Sequence, residues 1–255
     1  MVEAFAVASG KGGTGKTTST LALGMALTDE YDVTVVDADM GMANMLFHAG
    51  LSDVETTLHD VLGGDLPVAQ ATYERFGMTV VPCGTSLDGF RHSDPTRLRE
   101  VVAQLAADTD VLLLDSPAAL DSRSAVLPVV LADRVIVVLQ PTIPALSDGL
   151  KVQEYATSYG TDVAGLVFNK VHDDDAIDEI TVKTEQYFDG PTLATVSDSE
   201  AAREARRAGR PLLAHAPASA PAESFRQAAA RIDVRDGASG AVADRFRSAV
   251  IPDSP

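Results

Sequence analysis

Cysteine is nearly absent from this 255-residue chain, which has one, Cys83. A lone cysteine excludes an internal disulfide and excludes a zinc or iron–sulfur site built from the cysteines of one chain. Lysine is almost as scarce: there are five, at 11, 16, 151, 170 and 183, in a chain with 37 Asp plus Glu. Lys plus Arg total only 20, so the net charge is -17. A surface this acidic argues against broad nucleic-acid binding, which needs cations facing phosphates. It fits a salt-loving source, where ionic screening makes self-repulsion tolerable, or an ordinary acidic cytoplasmic protein. Long apolar runs are also missing. No stretch of about 18 unbroken apolar residues occurs, so no membrane-spanning helix is expected. The opening residues MVEAFAVASGKGG lack a basic n-region, so no secretory leader is expected. These readings point to the cytoplasm.

The length suits one α/β domain with a full core. Short β-rich runs occur at 3–9, 32–37, 78–82, 110–115, 134–140, 163–169 and 192–196, several of them continuous Val/Leu/Ile stretches. Strands buried on both faces of a parallel sheet look like this. Helical patterns lie between them, near 15–28, 96–107, 121–132, 145–159, 175–188, 198–209 and 221–232. The alternation predicts an α/β fold: a doubly wound, mostly parallel sheet of about seven to eight strands. Ligands of such sheets bind at the C-terminal strand ends. The predicted domain covers 1–232. Residues 233–255, rich in Gly, Ala, Ser and Asp, read as a loose tail with one short helix.

Residues 9–18, SGKGGTGKTT, follow the first strand and open a helix. Gly10, Gly15, Lys16 and Thr17 fill the G-x-x-x-x-G-K-[ST] pattern of a phosphate loop. The glycines let backbone N–H groups turn onto phosphate oxygens, and the helix that follows adds its N-terminal field. Lys16 reaches the β- and γ-phosphates, and the Thr17 hydroxyl suits Mg²⁺. The run VLLLD, 111–115, closes on Asp115 in the Walker B manner, a position that holds Mg²⁺ through water.

The loop residues Lys11, Gly12, Gly13, Thr14, Gly15, Lys16, Thr17 and Thr18 resemble the deviant Walker A of the ParA/MinD family, K-G-G-x-x-K-[ST]. The resemblance covers about residues 2–232 and implies a P-loop NTPase of the SIMIBI type, with ATP and Mg²⁺ as cofactors. It implies that Lys11 crosses a dimer interface to the phosphates of the facing subunit. Residues 37–44, DADMGMAN, resemble the family's switch I, D-x-D-x-G-x-x-N. By that likeness Asp39 orients or deprotonates the attacking water, Asp37 sits near the Mg²⁺ shell, Gly41 lets the switch move and Asn44 caps or contacts across the dimer. Asp115-Ser116-Pro117-Ala118 is similar to the D-S-P-A of the MinD branch, although Ala119 stands where the family usually has Gly. Asn169, ending LVFN, matches the adenine-contacting position. Asp198 falls in a segment that closes over the base, with Ser197 in place of the usual Pro. Asp148 falls where a dimer and partner-binding helix would begin.

The function implied is a MinD-type ATPase that dimerises with ATP and positions a cellular structure, such as the division site or a polar motility apparatus. Slow hydrolysis and a protein partner or activator go with it. A ParA-type DNA-partitioning ATPase is the alternative, and the acidic charge counts against it. A metal-cluster carrier would need paired cysteines. A nucleotide-binding protein without hydrolysis has only Ala119 in its favour. The cluster Arg203, Arg206, Arg207 and Arg210 shares one helix face, as a solvated face balanced by Glu200 and Glu204 or as a contact for DNA, acidic lipid or a partner. In 242–251, VADRFRSAVI, the residues Val242, Phe246, Ala249 and Val250 follow a helical apolar spacing with Arg245 and Arg247 alongside. This segment either anchors the protein to the inner face of the membrane, as MinD tails do, or packs on the domain.

Overall fold

The computed structural model describes residues 2–118, 122–172, 177–184, 186–235, 237, 242, 244, 246–247 and 249. Its strands are β1 (Glu3–Ala8), β2 (Val33–Asp37), β3 (Tyr73–Arg75), β4 (Met78–Val81), β5 (Val111–Asp115), β6 (Arg134–Leu139), β7 (Asp162–Val171) and β8 (Thr192–Ser197). The helices are α1 (Lys16–Leu27), α2 (Met45–His48), α3 (Leu58–Gly63), α4 (Leu87–His92), α5 (Leu98–Leu105), α6 (Arg123–Leu131), α7 (Ile143–Ser158), α8 (Ile177–Thr184), α9 (Glu200–Arg207), α10 (Leu212–His215) and α11 (Ala220–Arg231). One eight-stranded sheet runs in the order β3-β4-β2-β5-β1-β6-β7-β8. All neighbours are parallel except β3 and β4.

The Val/Leu/Ile runs are buried throughout in β1, β2, β5 and β6, as a sheet covered on both faces requires. Alternate residues serve opposite faces. Phe5, Val35 and Leu113 join the cluster that holds α1 and α11 through Leu21, Leu23 and Phe225. Val36, Leu112 and Leu114 join the cluster of α5 through Leu98 and Val102. The strands and helices expected between residues 3 and 232 all form, with ends shifted by a few residues. Among the described residues, further elements go beyond that expectation: the short edge strand β3, a 3-10 turn at Val68–Ala71 and the helices α2, α3, α4 and α10, each of four to six residues.

The described part of the segment after 233 lies against the domain rather than apart from it. Val2 N–H donates to Gly237 O at 3.1 Å, and Arg235 N–H to Glu3 Oε2 at 2.6 Å. Val242 and Phe246 are buried beside Val2 and Ala4, and Ala249 packs on the same cluster. The apolar face expected of 242–251 therefore points inward at these residues. Arg245, Val250 and Ile251 are outside the described residues.

At this end of the sheet, opposite the strand C-termini, Arg134 meets Glu3 in a buried bidentate pair at 2.7 and 2.9 Å. The guanidinium also lies 5.0 Å over the Phe5 ring and donates to Asp233 O. It thereby ties β1, β6 and the chain after α11 together. Removing one partner of such a pair strands a buried charge, which costs about 3–5 kcal/mol, whereas apolar replacement of both is near neutral. Arg134→Leu is therefore expected to lower the unfolding free energy by about that amount, and the Glu3→Leu/Arg134→Leu double variant to recover most of it. Urea titration of the three proteins checks this.

Candidate functional site

The loop between β1 and α1 stands at the C-terminal edge of the sheet, beside the central strands. Two glycines shape it. Gly15 has φ +99, a left-handed conformation, and a Cβ there would sit 2.2 Å from Asn169 Nδ2. A Cβ on Gly10 would sit 2.5 Å from the Asp148 carbonyl oxygen, so α7 backbone packs directly on the loop. Ser9 Oγ donates to Lys11 O at 2.8 Å and accepts from Lys16 Nζ at 3.0 Å. Lys16 is 8% exposed, and burial pushes its ammonium pKa down against the pull of Asp115 and Asp39. No side chain caps the N-terminus of the 12-residue helix α1. Its first-turn N–H groups are thus available to an anion.

Two carboxylates face the loop from neighbouring strands. Asp37 and Asp115 end β2 and β5 in register with each other and are both buried. Thr17 Oγ1 donates to Asp115 Oδ2 at 2.5 Å and Thr20 Oγ1 to Oδ1 at 3.2 Å. Asp37 accepts N–H groups from Met45 at 3.1 Å and Asp39 at 3.3 Å. Burial raises the Asp37 pKa well above the ordinary carboxylate value, and the nearby Asp115 raises it further. Burial lifts Asp115 to about 6, against the Thr17 hydroxyl and Lys16, which hold it down. Asp39 is half-buried above them, its Oδ1 accepting from Met42 N–H at 3.0 Å.

The loop and Asp39 border a cavity of about 480 Å³, within the size range of small-molecule sites. Its walls include Gly13, Lys16, Thr17, Asp39, Asn169 and Asp198. Buried oxygens without a partner, Thr14 Oγ1, Ser116 Oγ and Asn44 Oδ1, belong to the loop and to the two strand-end segments facing it. Uncapped N–H groups and a buried ammonium suit polyphosphate. Two adjacent carboxylates and a hydroxyl are hard oxygen donors that suit Mg²⁺, which is held by one or two carboxylates together with phosphates and water.

The structure places the other expected residues individually. Asn169 lines the cavity, but its Nδ2 donates to Thr14 O at 2.8 Å and its Oδ1 accepts Lys170 N–H at 2.9 Å, so it braces the loop. Asp198 also lines the cavity, and both of its oxygens accept from Arg203 Nη1 at 2.9 Å. Lys11 is half-buried, and its ammonium makes no hydrogen bond or ion pair with the described residues. Asp148 does not begin a helix: α7 starts at Ile143, capped by Thr142, and Asp148 pairs with Lys151 at 3.0 Å in its second turn. Arg203 and Arg207 are balanced by Glu200, and Arg206 lines the cavity. Ala119 lies outside the described residues.

Three participants escaped sequence reasoning, Ser9, Thr20 and Lys170, while Arg203, read there only as part of a basic helix face, holds Asp198. Lys170, at φ +56, sends its ammonium to Gly13 O at 2.6 Å. Scarcity could have flagged it, since three of the five lysines now border one loop.

The raised pKa values carry a sign. A carboxylate titrating higher when folded favours the folded state below its unfolded pKa, and that contribution is lost as pH rises through the folded value. For Asp115 the loss is complete above about 6. Without metal and nucleotide, Asp115→Asn is therefore expected to be more stable than the parent at pH 8, with the advantage shrinking toward pH 4. Urea midpoints across that range check it.

A model of the CobQ/CobB/MinD/ParA nucleotide binding domain matches residues 5–212. An uncharacterized ATP-binding protein of Methanocaldococcus jannaschii is 36% identical over 235 residues, 91% of this chain and 88% of that protein. Among solved structures, the septum site-determining protein MinD of Pyrococcus horikoshii, complexed with Mg-ADP, aligns with a TM-score of 0.84 at 32% identity, over 91% of this chain and 96% of that one. The cell division ATPase MinD of Pyrococcus furiosus aligns with a TM-score of 0.84 at 34% identity, over 91% and 99%. With the phosphate loop, the paired strand-end carboxylates and these matches in agreement, the chain belongs to the ParA/MinD family of P-loop ATPases, on its MinD branch, with ATP and Mg²⁺ as its cofactors.

Proposed function

We propose that this protein is an ATP-driven dimerisation switch of MinD type: it dimerises around ATP, engages a partner, hydrolyses the nucleotide and separates. The observation that carries the reading is Lys11. The loop's own seat for phosphate is already filled by the buried Lys16. A second ammonium on the same loop, unpaired with the described residues in so acidic a chain, is suited to a neighbour's phosphates. Apolar side chains at the same edge add to this. Met42 is 78% exposed and Ile143 84% exposed, beyond Asp39 and at the start of α7. Large apolar side chains left exposed beside a binding site are a feature of surfaces that meet another protein.

Within such a dimer the roles follow from chemistry. The loop N–H groups from Gly10 to Thr18 and the Lys16 ammonium bind phosphate oxygens. Thr17, Asp37 and Asp115 hold Mg²⁺, which neutralises phosphate charge when bound. Asp39 orients the attacking water, and Lys11 stabilises charge in the transition state from across the interface. Asn169 and Asp198 form the base side of the cavity. A protein partner is the better candidate for the engaged surface. Membrane anchoring through 242–251 would need Val242 and Phe246 to leave the core, and DNA binding would have to overcome a charge of -17. The end served is the positioning of a cellular structure.

Light scattering after size exclusion, at high salt with ADP and then ATP, tests the reading. The parent is expected to dimerise only with ATP, and Asp39→Ala to remain a trapped ATP dimer. Lys16→Ala should lose nucleotide binding. Lys11→Ala should bind nucleotide within about threefold of the parent yet stay monomeric, because it lacks only the contact made in trans. A Lys11→Ala dimer, or a parent that is monomeric throughout, would sink the proposal. Co-sedimentation with liposomes and ATP-dependent retention on DNA report on the two other surfaces.

A further inference from the structure

Switch I, residues 37–44, and Met45 after it are pinned at intervals along their backbone. Ala38 N–H donates to Asp115 O at 3.0 Å, Met42 N–H to the Asp39 carboxylate and Met45 N–H to Asp37. One pin comes from outside the nucleotide site. His59 Nε2 lies 3.0 Å from the Met40 carbonyl oxygen. A carbonyl only accepts, so Nε2 carries the proton. His59 is 4% exposed, and burial lowers its pKa against the Met40 carbonyl and Asp60, which favours the neutral ring. The proton-free Nδ1 then has no hydrogen-bond partner among the described residues. Gly84 and Gly89 close around it, since a Cβ on either would sit 2.9 Å away. A buried acceptor left unpaired is an uncompensated cost that needs a reason. An apolar side chain would fill this space without it, so the reason lies at the other nitrogen.

The histidine is also held rigidly. It is the second residue of α3, whose first N–H, from Leu58, donates to Pro82 O at 2.8 Å just past β4. The Asp60 carboxylate accepts Thr57 N–H at 2.8 Å and the Thr57 hydroxyl at 3.0 Å, which fixes the helix start. Leu58 and Leu62 on either side are fully buried.

We propose that His59 is a positioning residue for ATP hydrolysis: it holds the Met40 carbonyl from the scaffold and so fixes the segment that carries Asp39. It is not among the residues that line the cavity. A small displacement of a reacting group lowers rate far more than it lowers ground-state binding. The inference rests on the role given to Asp39 above, and its test separates the two.

The variants are His59→Leu, which removes the donor, and His59→Gln, whose Nε2 can donate from a similar reach, with Asp39→Ala alongside. Single-turnover hydrolysis, Mg-ADP affinity and amide hydrogen exchange at Met42 are read for each. His59→Leu is expected to slow hydrolysis about tenfold with Mg-ADP affinity kept within about twofold. It should also speed Met42 exchange about tenfold, because the loop around Asp39 opens more often. His59→Gln should return both quantities to within about threefold of the parent. Parental turnover and exchange in His59→Leu, or equal losses in Leu and Gln, would overturn the proposal. Normal hydrolysis by Asp39→Ala would defeat the Asp39 role alone, with Met42 exchange still deciding whether His59 holds the segment. Should His59→Leu fail to fold, imidazole nitrogen NMR of the parent decides: an Nε2–H tautomer supports the contact, and an Nδ1–H tautomer or a protonated ring excludes it.

Discussion

Two carboxylates buried side by side are the constraint around which this molecule is organised. Asp37 and Asp115 are register partners at the ends of adjacent strands, with almost no contact with water. Each disfavours the charge of the other, and burial disfavours both. The hydroxyls of Thr17 and Thr20 and the ammonium of Lys16 offset part of this. The rest is left for a cation to supply. A fold that keeps such a pair is least at ease when its site holds nothing, so ligand binding and folding pull in the same direction. The sheet makes the pair possible, because only parallel strands bring two C-terminal ends to the same point.

The loop opposite those carboxylates is rigid for a related reason. Its glycines admit contacts that a side chain would forbid, and partners from distant segments then fill the space. Asn169 and Lys170 close on Thr14 and Gly13 from one side, and the α7 backbone packs on Gly10 from another. Preorganised N–H groups need no reordering when phosphate arrives, which is where much of the benefit of such a loop lies. Switch I contrasts with it. Its restraints are single hydrogen bonds spaced along the backbone, and Gly41 has open space where a side chain would stand. A fixed cradle beside a segment held at a few points is a workable division between binding and turnover.

Much of this was legible in the chain itself. The phosphate loop is a local backbone pattern, so four residues in register announce it. The central strands announce themselves because burial on both faces forces continuous apolar runs. The edge strand β3 did not, since Tyr-Glu-Arg at a solvent-facing edge has no apolar signature. Short helices such as α2 and α10 carry too few turns to show a period. The contacts of Lys170 and His59 were hidden for a different reason: each joins segments apart in sequence, so neither partner looks unusual in its own neighbourhood. For Asn169 the position was readable while its present partners were not. The residues after 233 read as loose on composition, yet a few large side chains, Phe246 above all, were enough to seat their described part.

The scarcity of lysine has a practical side. Of five primary side-chain amines, those of Lys11, Lys16 and Lys170 surround one loop, and Lys151 is on the helix packed against it. Burial also lowers the pKa of the Lys16 ammonium. An amine-directed reagent, which on most proteins labels the surface indiscriminately, becomes on this chain a footprinting probe of the nucleotide seat.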